Sequence, residues 1–191
     1  FQKFIFIDWL TSRYHLTANE EGVIFKLSDS KCFASDFFHI GRYSRINECS
    51  FGNGIQQEST FWRRNLWLQS GSYINEKTIA CDYDLWLRFS KYSEIYNVNI
   101  PLSIFRLHKN QISSKYEYFE EVKLTHKNSF SNKISFYKKL VNSIYKKRFI
   151  LKSTGLQGIL GKFLLFLQIT KRTYLVIIKN DLFEIENIYV R

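Results

Sequence analysis

An α/β fold, a mixed sheet with flanking helices, is predicted by three features of this 191-residue chain. Short apolar or alternating runs bounded by turn residues mark strands. Apolar residues three and four apart behind a carboxylate mark a helix. The two patterns alternate through the first 114 residues, as packing helices on a sheet requires.

Phe4-Ile5-Phe6-Ile7 reads as a buried strand, and Glu21-Gly22-Val23-Ile24-Phe25 as a turn into another. Residues 50–60, rich in glycine and polar side chains, suit a loop. Thr60-Phe61-Trp62 is strand-like, and Arg64 to Ser70 follows as a helix that Gly71 caps at its C-terminal end. Behind Asp82, the residues Leu85, Phe89 and Tyr92 recur at helical spacing, so Asp82 is the expected N-cap. Val98 to His108 is expected to be extended, with Pro101 near a turn or strand start. Alternation places Ile104, Arg106 and His108 on one face, and Phe105 and Leu107 on the other.

Residues 115–191 have another character and are expected to form a mostly helical, basic C-terminal extension beside the unit 1–114. Ile134, Tyr137, Leu140, Val141, Ile144 and Tyr145 form a helical apolar stripe, with Lys138, Lys139, Lys146, Lys147 and Arg148 around it. Gly155 to Thr170 is apolar but broken by Lys162, and short for a bilayer span. Thr173 to Lys179 and Leu182 to Val190 pattern as a hairpin around Asn180-Asp181.

Charge is unevenly placed. Residues 1–114 hold 13 Lys/Arg against 11 Asp/Glu, and residues 115–191 hold 15 against 6, so most of the net +11 lies in the tail. Such a block is commonly a solvated face; as a binding surface it suits anionic lipid or nucleic acid. Cys32, Cys49 and Cys81 show no C-x-x-C spacing, so neither a disulfide framework nor a zinc site is implied, and a reducing, cytoplasmic setting fits. No signal peptide is visible. The chain has no methionine and opens at Phe1, so it is expected to be part of a longer product.

Asp82-Tyr83-Asp84 is a short acidic pair. A pair of this form that holds a metal beside a nucleotide normally closes a long apolar strand. The residues before Asp82, Glu76-Lys77-Thr78-Ile79-Ala80-Cys81, are no such strand. The N-terminal run Phe4-Ile5-Phe6-Ile7-Asp8 has Leu10 where a second carboxylate would stand. Asp82 is therefore expected to begin a helix, not to end a strand.

Three stretches, "GIQQESTFWRRNLW", "CDYDLWLRF" and "IPLSIFRLHKNQIS", stand in an order that resembles the C-terminal half of a family 2 glycosyltransferase catalytic domain, of GT-A fold. The resemblance covers about residues 5–120. Each stretch alone is moderately specific, and the three in order are far more so. It implies four shared features: an Asp-x-Asp metal motif, a glycine-containing loop, an acidic motif carrying the catalytic base, and a C-terminal histidine near the metal. Gly52-Asn53-Gly54 then falls in the loop, Asp82 on the base, and His108 on the histidine. Cys81 departs from the pattern, which often has Glu before the base. The first motif has no counterpart, as expected if a nucleotide-binding half precedes Phe1.

The resemblance thus implies an incomplete GT-A domain that takes a nucleotide-sugar donor and a glycan or lipid-linked acceptor, in cell-surface polysaccharide or glycan synthesis. It also implies a divalent ion, Mg or Mn, held mostly by residues missing from this fragment, which alone is expected to be inactive. The enzyme would be cytoplasmic, peripheral on the cytoplasmic face of the membrane through its tail, with no nucleic acid bound.

Each implied site residue also has an ordinary structural reading. Asp82 is either the base that takes the acceptor proton or a plain N-cap. Asp84 is a further acceptor contact or a first-turn carboxylate facing the helix dipole. His108 is a metal ligand or merely structural, and Arg106 on its face binds phosphate or forms an ion pair. Gly52 and Gly54 admit close ligand approach or simply turn the chain. Gln56, Gln57 and Glu58 offer polar contacts to a sugar, and Trp62 offers it a flat face or packs in the core. Two rivals dispense with catalysis: a basic nucleic-acid-binding module and a membrane-surface interaction module.

Overall fold

The computed structural model describes residues 2–30, 32–39, 41, 43, 54–109, 111, 116–129, 171–179 and 182–190. These residues form an α/β fold with two mixed sheets and a few helices. The N-terminal strands are β1 (Trp9–Ser12), β2 (Tyr14–Ala18) and β3 (Ile24–Asp29), followed by a short helix α1 (Ser35–His39). A 3₁₀ turn at Gln57–Ser59 leads into β4 (Thr60–Trp62), α2 (Arg64–Gln69) and α3 (Cys81–Phe89). Then come β5 (Ile95–Val98), β6 (Ile104–Arg106), α4 (Tyr116–Ser129), β7 (Lys171–Lys179) and β8 (Leu182–Val190).

The larger sheet runs β4-β1-β5-β7-β8, and the smaller one β3-β2-β6. β1 pairs parallel with β5 and β5 parallel with β7, while β4 and β8 close the two edges in antiparallel fashion. The expected hairpin of residues 173–190 is present in β7 and β8, and it adds two strands to the sheet of β1 and β5. β1 and β2 are separated by Arg13 alone yet enter different sheets. Ser12 sits at that bend: its Oγ lies 2.6 Å from the carbonyls of Tyr14 and Ile100 and accepts from the Tyr14 amide. Partly buried backbone groups at the bend are thereby satisfied.

One face of the large sheet is covered by α3. Trp86 stacks on Trp9 at 5.8 Å, and Phe89 meets Trp9 edge-on at 5.7 Å. These rings, with Phe38, Leu66, Leu85 and Ile95, form the largest cluster of buried side chains. In the middle of the sheet the buried Asn97 accepts from the Phe33 amide at 2.7 Å and donates toward the Phe33 carbonyl and Thr173 Oγ1. A buried amide of this kind favours one register of β5, because a slip would orphan its partners.

Two expectations need correction. Phe4–Ile7 is not a strand: it forms a turn in which Ile5 is 79 % and Phe6 59 % exposed, and only Ile7 is buried. The strand lies just beyond, at Trp9–Ser12, where Thr11 is fully buried with its hydroxyl 3.0 Å from that of Thr60. Val98–His108 is likewise not one extended run. β5 ends at Val98, and residues 99–103 carry the chain to the other sheet, where β6 ends at Arg106. The apolar stripe at 134–145 and the run 155–170 lie outside the described residues. Among the described residues no helix is long and apolar enough to cross a membrane.

Candidate functional site

The start of α3 is held by its neighbours. Its N-cap is Ala80, so Asp82 is not the cap but stands in the first helical turn, which corrects the expectation. Thr78 supplies the missing acceptor: its Oγ accepts from the Ala80 amide at 3.1 Å and donates to Glu121 on α4. Asp82 Oδ1 accepts from the Tyr83 amide at 2.7 Å. The Tyr118 hydroxyl, also on α4, lies 3.0 Å from both Asp82 oxygens and donates to them. No ion pair to Asp82 exists among the described residues. Loss of water pushes its pKa above the ordinary value, and the hydrogen bonds from Tyr83 and Tyr118 pull partly back. Such a carboxylate is more basic than a free one and still has lone pairs to offer.

Asp84, two residues on, faces another way. It is buried and accepts from Arg88 Nε at 3.0 Å. Arg88 in turn donates to the carbonyls of Ser70 and Tyr73, and its guanidinium lies 4.1 Å from the Tyr73 ring centroid. The network ties α3 to the end of α2. Asp84 also borders an open cavity of about 380 Å³ whose walls include Asn75, Thr78, Glu121 and Thr125. Trp62 is partly buried, its ring 5.7 Å from Trp86 and 5.5 Å from Phe89.

The other site residues of the sequence reading gather around the smaller sheet. Gln56 is buried: its amide donates to the Leu16 carbonyl at 3.2 Å and accepts from Ser59 Oγ at 2.9 Å. Ser59 Oγ also meets Ser103 Oγ at 2.7 Å, just before β6. Loop 54–59, the middle of β2 and the segment leading into β6 are thus bound together. Gln57 and Glu58 are exposed, as is Gly54, where an added Cβ would meet no atom within 4 Å. Gly52 lies outside the described residues. Arg106, opposite Ala18, and His108, in the turn after β6, are both exposed. The His108 amide donates to Gln111 Oε1, and the next amide, of Lys109, donates to Glu20. No hydrogen bond or ion pair among the described residues joins Asp82 to Arg106 or His108. The expected site residues therefore form two groups.

Among the described residues no three His, Cys, Asp or Glu side chains converge to hold a metal, and His108 offers a single imidazole. Sequence reasoning expected helix in this part of the chain but set no bounds for α4 and did not single out Tyr118. The available signal was the four-residue spacing of Tyr118, Val122 and His126, the last two of which are buried. Compared with known proteins, the chain matches no family model, no curated protein and no solved structure.

Proposed function

We propose that the chain is the acceptor-side part of a GT-A glycosyltransferase, with Asp82 as its catalytic base. The observation that carries the reading is the setting of Asp82: a carboxylate in the first turn of a helix, largely withdrawn from water, unpaired with any described cation, and more basic than usual. An acceptor hydroxyl is too weak an acid to ionise beforehand. Its proton must pass to a base while its oxygen bonds to sugar C1 and the bond from C1 to the diphosphate oxygen breaks. The diphosphate leaves with the electron pair, Asp82 keeps the proton, and attack from the opposite side inverts C1.

The donor, a nucleotide sugar, belongs to the half of the domain that the resemblance places before Phe1, and so do most ligands of the divalent ion. Arg106 and His108 would face that half, and Gln57 and Glu58 are exposed for polar contacts with a sugar. Peripheral attachment at the cytoplasmic face of a membrane, through the basic tail, is part of the same proposal. Asp82→Asn tests it, because the amide keeps the shape but cannot take the proton. Turnover should fall about 10²–10⁴-fold with donor affinity unchanged.

A further inference from the structure

α4 is held against the core, the segment before α3 and α1 by a row of side chains. Glu121 accepts from Thr78, Val122 is buried, and the His126 ring donates from Nε2 to the Phe38 carbonyl at 3.0 Å. These contacts place the first turn of α4 independently of anything Asp82 does. Tyr118 projects from that turn, and its hydroxyl is equidistant, at 3.0 Å, from both Asp82 oxygens. One phenol proton shared by two oxygens sets the plane of the carboxylate. Oδ1 has a second donor in the Tyr83 amide, whereas Oδ2 accepts from Tyr118 and has no contact with that amide.

We propose that Tyr118 is the positioning residue of Asp82, orienting the carboxylate so that Oδ2 is the oxygen that takes the acceptor proton. The inference rests on reading Asp82 as the base. A hydroxyl of the acceptor donating to Oδ2 leaves Tyr118 bonded to Oδ1, so the carboxylate need not turn during the reaction. Preorganisation of this kind matters because a displacement of about 1 Å at a reacting group can cost on the order of 10²-fold in rate. Tyr118 is also the titratable side chain that faces Asp82 from α4. Neighbouring Glu121 is engaged with Thr78, and Tyr83 presents its amide.

The test compares the wild-type chain with Tyr118→Phe, which keeps the ring against Phe119 and removes only the hydroxyl. Asp82 is titrated by ¹³C NMR of its labelled carboxyl, assigned through Asp82→Asn. Without the donor to its charged form, the Asp82 pKa should rise above the wild-type value. In the protein completed by its nucleotide-binding half, kcat should fall about tenfold to a hundredfold with donor KM unchanged, and the acid limb of the pH–rate profile should move up. An unmoved pKa or an unmoved acid limb overturns the role of Tyr118. So would a rise in kcat, which would make Tyr118 an obstruction to the acceptor. Were Tyr118→Phe to misfold, 3-fluorotyrosine at position 118 gives the opposite sign, since a more acidic phenol should lower the Asp82 pKa. Should Asp82→Asn itself transfer sugar normally, the reading of the base fails, whatever Tyr118 does.

Discussion

At the scale of single residues, Asp82 carries a cost that function would explain. Its pKa is raised above the unfolded value by burial, so between those two values the native state binds more protons than the unfolded state. Stability therefore falls as pH rises through that window, and the full penalty is present above it. Asp82→Asn removes the ionisation and keeps an oxygen for Tyr83 and Tyr118. Urea unfolding at pH 7 should show the variant at least as stable as wild type, with the difference shrinking as pH falls through that window and gone below about pH 4. A variant clearly less stable at pH 7 would mean that the carboxylate is a structural acceptor that an amide cannot replace. The motif singled out Asp82, but did not give its place in the helix. Aspartate is favoured both at a cap and in the first turn, and the cap contact came from Thr78, whose role depends on α4.

Among elements, those bounded by strong local chemistry were the readable ones. α2 ends as expected, in a Schellman arrangement: the Ser72 amide bonds the Trp67 carbonyl at 3.0 Å and the Gly71 amide bonds that of Leu68 at 3.2 Å. Gly71 has φ +102°, and a Cβ there would lie 3.0 Å from the Tyr73 ring. Gly71→Ala should cost about 1–2 kcal/mol, read by thermal or urea denaturation. It should also disturb Arg88, which bonds the carbonyls of Ser70 and Tyr73 on either side. An unchanged midpoint would show that the turn relaxes freely. β4 and the hairpin of β7 and β8 were legible for the same reason, as clean runs of strand-forming residues flanked by polar ones. β1 was not. Its buried Thr11 and Ser12 are satisfied across the sheet by partners distant in sequence, while the more apolar Phe4–Ile7 beside it is mostly exposed. Local apolarity pointed to the wrong four residues.

For the whole molecule, the position of β7 in the sheet could not be read from the chain, because parallel pairing with β5 joins residues about 80 positions apart. Leu175 and Val176 are buried there, and Thr173 Oγ1 donates to the Phe33 carbonyl at 2.6 Å. Ending the chain at residue 170 would expose the edge of β5 and its apolar neighbours. The truncated chain should unfold without a sharp transition and self-associate on size exclusion; a monomer with wild-type cooperativity would show that the hairpin is dispensable. Whether the molecule is a catalyst is read from its products. In the protein extended by the nucleotide-binding half proposed to precede Phe1, release of nucleoside diphosphate and formation of glycoside are followed over a panel of UDP-, GDP- and dTDP-sugars, for wild type and Asp82→Asn. Asp82 as the base predicts transfer from at least one donor in the wild type, and a loss of about 10²–10⁴-fold in kcat in the variant, with donor binding and fold intact. Transfer by a folded Asp82→Asn protein at near the wild-type rate would contradict it.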